Sequence, residues 1–229
     1  MKVSVVIFPG ANCDHDAEQW SSRIFGLPTE EVWYTRTDLG GADLVILPGG
    51  FSYGDYLRAG SMAARAPIME AVRAHAERGG MVIGICNGFQ VLCEVGMLPG
   101  ALMRNRGLTF LCRDVYLRCE TDDSPFTRRV GRGTVLRIPI AHGEGNYFAD
   151  DETLRILEDQ DRVAFRYVAP DGSEDDAWNV NGSVRSIAGI LGAGRNVLGM
   201  MPHPERASES ILGSRDGMPI LQSAVEALG

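Results

Sequence analysis

The spacing of apolar residues changes period at Cys86, and that change constrains the fold more than any other stretch. Met81, Val82, Ile83 and Ile85 form a short apolar run after Gly79-Gly80, whereas Phe89, Leu92 and Val95 recur at helical spacing. A strand therefore ends and a helix begins at the cysteine. Gly84 and Gly88 flank it as Gly-x-Cys-x-Gly, the thiol counterpart of a Gly-x-Ser-x-Gly elbow, in which small neighbours permit a sharp turn that projects the nucleophile at the sheet edge. The helix N-terminus beneath it favours an anionic sulfur, and the N–H of Asn87 can bond a developing oxyanion. Cys86 is accordingly read as a nucleophile. The competing reading is a cysteine packed in a core helix, a common environment for a free thiol, but a side chain between two glycines at a strand end fills a core poorly.

Alternation of short apolar runs with helix-length segments gives the fold class. Val3 to Phe8, closed by Pro9-Gly10, reads as a strand buried on both faces, and Val32 to Tyr34 and Ala42 to Leu47 read as the next two. A helix capped by Asn12 or Asp14 and running to about Phe25 separates the first pair. An amphipathic helix over 67–78 places Ile68, Met69, Val72 and Ala76 inward, with His75 on its solvated side. Further strands are expected at 115–119, 134–140, 163–168, 186–191 and 197–201, and helices at 150–158 and 216–228. The last helix would turn Ile220, Leu221, Ala224, Val225 and Leu228 inward. This order predicts one domain over 1–229 with an open, mostly parallel, doubly wound sheet flanked by helices.

Three further segments leave strand ends. The loop 49–60 holds four glycines at the carboxyl end of a parallel strand, where ligands bind in doubly wound folds, and it offers the Gly50 N–H as a second oxyanion donor. His142 and Glu144 stand between glycines in Ala141-His142-Gly143-Glu144-Gly145, either as contacts to a substrate or partner or as a solvated turn. In Met201-Pro202-His203-Pro204-Glu205 the following proline restricts His203 to extended geometry, with Glu205 two residues on and on the same side. Combined with Cys86, these residues complete a nucleophile, a base and an orienting carboxylate.

Composition excludes several classes of function. The 22 basic and 30 acidic residues leave a net charge of -8, and the basic residues form no run beyond Arg128-Arg129, which argues against a nucleic-acid face. No stretch of 18 apolar residues is present, so no membrane span is expected. A strand pattern from the first residues, without a cleavage signal, predicts a cytoplasmic protein. Five cysteines without Cys-x-x-Cys spacing argue against a disulfide framework and against a structural metal site; Cys93, Cys112 and Cys119 are read as packing residues.

The runs 9–14 (Pro-Gly-Ala-Asn-Cys-Asp), 48–58 (Pro-Gly-Gly-Phe-Ser-Tyr-Gly-Asp-Tyr-Leu-Arg), 84–90 (Gly-Ile-Cys-Asn-Gly-Phe-Gln), 140–145 (Ile-Ala-His-Gly-Glu-Gly) and 199–206 (Gly-Met-Met-Pro-His-Pro-Glu-Arg) span nearly the whole chain. In them the sequence resembles class I, triad-type glutamine amidotransferases, and within that class the glutaminase subunits of phosphoribosylformylglycinamidine synthases. It departs from that pattern at Asn179-Val180-Asn181-Gly182, where Asn-Pro-Asn-Gly is expected, and in the turn at 190–196. The resemblance implies Cys86 as nucleophile, His203 as base and later acid, Glu205 as its orienting residue, and Gln90 as a contact to bound glutamine. It also implies a large synthetase subunit that receives ammonia and a small third subunit.

No Gly-x-x-x-x-Gly-Lys-[Ser/Thr] loop and no Gly-x-Gly-x-x-Gly fingerprint follows a strand, so no cofactor is expected in this chain, and ATP and Mg are assigned to the synthetase partner. Two other readings share the triad or the fold: a cysteine hydrolase or peptidase, which needs neither Gln90 nor a partner, and an inactive scaffold.

Overall fold

The computed structural model describes residues 1–228. The strands are β1 (Val3–Ile7), β2 (Thr29–Trp33), β3 (Leu44–Leu47), β4 (Met81–Ile85), β5 (Ala101–Met103), β6 (Leu111–Cys119), β7 (Val135–His142), β8 (Asn146–Phe148), β9 (Val163–Val168), β10 (Ile187–Leu191) and β11 (Val197–Met200). The helices are α1 (Asp14–Gln19), α2 (Ile68–Glu77), α3 (Asn87–Glu94), α4 (Asp151–Asp159) and α5 (Met218–Ala227).

Nine strands form one sheet in the order β2-β1-β3-β4-β11-β10-β9-β6-β7. Its first five strands are parallel, and β10, β9, β6 and β7 continue it as an antiparallel wing. The expected mostly parallel sheet with flanking helices is therefore present, and the site lies in its parallel half. β1, β3 and β4 are buried at every position, as strands covered by helices on both faces must be. A separate two-stranded sheet, β5 with β8, covers α3 from outside. Its three-residue strands are too short to leave a periodic signal in the sequence.

Parallel pairing of β4 with β11 decides where the site forms. Ile85 pairs with Met200, and the N–H of Cys86 continues the ladder to the carbonyl of Met200 at 2.8 Å. Whatever follows these two strands emerges side by side at their carboxyl ends. Gly88 lets α3 descend directly onto β3, because a methyl group there would overlap the carbonyl of Leu47.

Four local expectations are corrected. Residue Cys13, not Asn12 or Asp14, occupies the N-cap of α1 and makes no side-chain cap bond; the helix continues as a π-turn over Trp20–Ile24. His75 is buried, not solvated, and its Nε2 meets the carbonyl of Met81 at 3.2 Å, because α2 ends against the start of β4. Cys112 is exposed, since it lies on the edge pair β6–β7. Leu228 follows the end of α5 and is exposed, while Ile220, Leu221 and Ala224 are buried as expected. By contrast, Asp150 caps α4 by accepting from Thr153 N–H. Among the described residues, no helix is long and apolar enough to cross a membrane.

Candidate active site

Cys86 sits between β4 and α3 with φ 51° and ψ -104°, a left-handed conformation that is strained for a residue with a side chain. The helix starts at the next residue, so the sulfur stands over unpaired N–H groups. Among the described residues, neither the Asn87 N–H nor the Gly50 N–H has a hydrogen-bond acceptor. The Cys86 thiol is turned toward the carbonyl of Ala141, 3.7 Å away.

His203 follows β11 by three residues and is fixed from both ends. Its N–H donates to the carbonyl of Pro139 at 2.8 Å, and its ring Nδ1 meets Glu205 Oε1 at 2.6 Å. Both side chains are almost wholly buried. Burial alone would drive the ring neutral, but the charges of Glu205 and Cys86, with the hydrogen bond to Glu205, outweigh it and raise the ring pKa to about 10. Nε2, left without a hydrogen-bond partner among the described residues, is the nitrogen available to the Cys86 sulfur. Gly49 makes this approach possible: a methyl there would lie 2.7 Å from His203 Cε1, 3.1 Å from Cys13 Sγ and 3.3 Å from Cys86 Cβ. The structure thus brings Cys86, His203 and Glu205 together as the sequence suggested.

The glycine-rich loop packs against the elbow through Asn87. Its Oδ1 accepts from the Ser52 N–H at 3.2 Å, and its Nδ2 donates to Gln90 Oε1 at 2.8 Å and to Asp55 Oδ1 at 3.4 Å. Gly50 has φ 133° and forms an isolated bridge with Ala11. Tyr53, Asp55 and Leu57 all hold positive φ, which concentrates backbone strain beside the nucleophile.

A cleft of about 340 Å³ opens above Cys86. Gly50, Gln90, His142 and Glu144, all expected from the sequence, line it, together with Asp55, Arg104 and the apolar rim of Phe51, Leu108 and Phe110. Gln90 Nε2 donates to the backbone carbonyl of Glu144 at 2.7 Å. His142 is buried, which excludes the solvated turn. Asn105 holds it: Asn105 Oδ1 accepts from the Gly145 N–H at 3.0 Å and faces His142 Nδ1 at 3.1 Å, while its Nδ2 donates to the His142 carbonyl at 2.8 Å. Since Asn105 Oδ1 can only accept, Nδ1 carries the proton and Nε2 remains a bare acceptor without a partner.

Burial, helped by the charge on His203, lowers the pKa of His142 to about 3. The unfolded chain takes up this proton near pH 6.5, whereas the folded chain refuses it until about pH 3. The stability contributed by neutral His142 is thus complete above pH 6.5 and lost as pH falls toward 3, by at most about 1.4 kcal/mol per pH unit. Urea unfolding of wild type and His142→Asn between pH 6.5 and 5 should show the steeper acid loss in wild type. Equal slopes would mean that the folded protein carries a protonated ring.

Sequence reasoning did not single out Asp55, Arg104 and Cys13. Asp55 was hidden within a loop chosen for its glycines, and Arg104 lies where the periodicity fades. Cys13 lies behind the triad, with the guanidinium of Arg206 donating to its sulfur at 3.0 Å and to Asp16 at 2.9 Å. Burial, opposed by Arg206, raises the Cys13 thiol to about 12, so it stays protonated and does not compete as a nucleophile. Cys13, His203 and Glu205 could each present a ligand atom within 4.8 Å of the others. A metal there would have to strip a proton from Cys13, whose thiol burial holds protonated.

The family model for the CobB/CobQ-like glutamine amidotransferase domain matches residues 1–217. Among curated relatives, a phosphoribosylformylglycinamidine synthase subunit PurQ from Rhodospirillum rubrum is 56% identical over 229 residues, covering 100% of both chains. Its counterpart from Koribacter versatilis is 55% identical over 228 residues, covering 100% of this chain and 99% of that one. Among solved structures, a chain of PurLQS from Thermotoga maritima superposes with a TM-score of 0.88 at 44% identity, covering 100% of this chain and 99% of that chain. A glutamine amidotransferase from Thermotoga maritima has a TM-score of 0.58 at 16% identity, covering 99% of this chain and 90% of that chain, a likeness of fold alone.

Proposed function

The chain belongs to the CobB/CobQ-like glutamine amidotransferase family, and from that premise we propose that it is the glutaminase subunit of a phosphoribosylformylglycinamidine synthase. It hydrolyses glutamine and delivers ammonia to a synthetase subunit that converts formylglycinamide ribonucleotide to formylglycinamidine ribonucleotide in purine biosynthesis. The observation that carries the chemistry is a cysteine held at φ 51° on a helix N-terminus beside a buried histidine, itself bonded to a carboxylate at 2.6 Å.

The steps follow from these groups. The sulfur of Cys86, its proton passed to His203 Nε2, attacks the carboxamide carbon of glutamine. Negative charge then gathers on the carboxamide oxygen, where the free N–H groups of Asn87 and Gly50 receive it. Protonated His203 gives its proton to the departing nitrogen, and ammonia leaves with formation of a glutamyl thioester. Water activated by His203 hydrolyses that thioester and frees glutamate. Glu205 holds the ring in the required tautomer and stabilises its charge throughout. We assign the whole of 1–229 to this one domain, ATP and Mg²⁺ to the synthetase partner, and the complex to the cytoplasm.

Ammonia released into water at neutral pH would mostly become ammonium, which is not a nucleophile. A covered path to the partner is therefore required, and the isolated chain should be a poor glutaminase. The positive-φ residues of the 49–60 loop leave the Gly50 N–H sensitive to small displacements, and a misplaced oxyanion donor costs about 10²-fold or more. Glutaminase kcat/KM is expected to rise by that order when the synthetase, the small subunit and their substrates are added. Equal values with and without them would eliminate partner activation, and hydrolysis of other amides at equal rates would eliminate the glutaminase reading itself.

A further inference from the structure

Two arginines are buried among the described residues, and only one of them is neutralised. Arg166, on β9, meets Glu158 at 2.5 Å and Glu120 at 3.6 Å. Arg162 directly precedes the same strand and is 9% exposed, yet no carboxylate among the described residues pairs with it. Its Nε donates to the Leu191 carbonyl at 3.0 Å and its Nη1 to Gln160 Oε1 at 3.2 Å, so three of its five N–H bonds, both of those on Nη2 included, have no acceptor there. Burial holds its pKa below the ordinary arginine value, opposed by Tyr147 and aided by the charge of Arg195. Taking a cation out of water without a counter-ion is costly, and a guanidinium does not escape that cost by losing its proton.

Arg162 lines a cavity of about 280 Å³ together with the apolar side chains of Met97, Pro99, Ile156 and Leu157 and with Thr153 and Ala193. No carboxylate lines it, although the chain carries 30 acidic residues. Thr153, Ile156 and Leu157 share one face of α4, and Ala193 belongs to the turn between β10 and β11. The cavity is separate from the cleft above Cys86. The nucleophile immediately precedes α3, whereas Met97 lies beyond the other end of that helix, whose 8 residues span roughly 12 Å.

We propose that this cavity is a second ligand site, in which Arg162 receives the head group of a small organic carboxylate or phosphate monoester and Met97, Ile156 and Leu157 receive its apolar body. The proposal goes beyond the glutaminase reading and does not depend on it. A guanidinium edge presents parallel N–H bonds that match the oxygens of either head group, and here its stem is already fixed by Leu191 and Gln160. An anion entering the cavity supplies the charge that Glu158 and Glu120 supply to Arg166. A purely structural Arg162, which only ties Leu191 to Gln160, uses neither the Nη2 edge nor the cavity and predicts no response to anions.

The test titrates the full chain with benzoate, phenyl phosphate and the uncharged isostere benzamide while following the methyl resonances of Met97 and Ile156, which report on this cavity and not on the cleft at Cys86. Benzoate and phenyl phosphate should shift both resonances saturably, and the tighter of the two identifies the preferred head group. Benzamide should bind about 10-fold or more weakly than benzoate. Acetate and inorganic phosphate, which lack the apolar body, should each bind more weakly than the corresponding phenyl compound.

Arg162→Gln should abolish the preference for benzoate over benzamide, and Arg162→Lys, which keeps the charge without the fork, should retain part of it. Ala193→Phe, on an exposed turn, tests the site without touching the partners of Arg162: it should fill the cavity and weaken every phenyl compound. Wild-type chain that shows no saturable shift at tens of millimolar, or that binds benzamide as well as benzoate, would overturn the proposal. So would undiminished benzoate binding in Arg162→Gln.

Discussion

Replacing Cys86 with Ala is expected to abolish glutamine-dependent synthesis by the assembled complex while leaving ammonia-dependent synthesis unchanged. In the proposed mechanism the Cys86 sulfur forms the covalent bond to glutamine, so its loss removes the glutaminase half-reaction entirely. The synthetase half-reaction needs ammonia, not glutamine, as its nitrogen source. Alanine fits the elbow, which already accommodates a β-carbon at φ 51°, and among the described residues the Cys86 side chain makes no hydrogen bond beyond the weak contact to Ala141. Docking should therefore survive. Assaying both nitrogen sources on the purified complex separates the possibilities: retained glutamine turnover would remove Cys86 from the chemistry, and loss of both activities would show that it serves assembly instead.

Glu205→Gln should leave the protein folded and lower glutamine turnover by about 10³–10⁴-fold, as when the orienting acid of other triads is made neutral. Two effects combine. The carboxylate at 2.6 Å is a principal force raising His203 against the cost of burial, so its neutralisation makes the imidazolium harder to form. A carboxamide can also present its N–H₂ to Nδ1, which selects the wrong ring tautomer and leaves Nε2 protonated before it can take the thiol proton. Substitution by Asp should restore part of the activity because charge returns at a longer reach. Wild-type kcat in Glu205→Gln would mean that another group orients His203.

The parallel half of the fold was legible because β1, β3 and β11 are short apolar runs closed by Pro9, Pro48 and Pro202, and because the period changes once, sharply, at Cys86; β2, with Glu30 and Glu31 on a half-exposed edge, carries no such run. The triad was legible for a related reason. Both its parts sit at strand ends, where glycines and prolines mark the backbone, and the pairing of β4 with β11 joins them across more than 100 residues.

Other features depend on contacts that a linear pattern does not carry. His75 looks polar on its helix, yet the approach of β4 buries it. Asn105 shows no motif, yet it fixes the tautomer of His142. Asp55 and Glu144, far apart in the chain, line one cleft, where Asn87 reaches Asp55 and Gln90 reaches the backbone of Glu144 from the same helix. The β5–β8 pair and the exposed rim of Leu108 and Phe110 fall where alternation is weakest.

In the proposed mechanism Cys86 becomes acylated by glutamine. Acid-quenched wild-type complex, sampled by mass spectrometry during turnover of glutamine, should carry a glutamyl adduct confined to the peptide containing Cys86, and the adduct should be absent from Cys86→Ala. Turnover at the wild-type rate without any adduct in the presteady state, or an adduct on Cys13 instead, would contradict it.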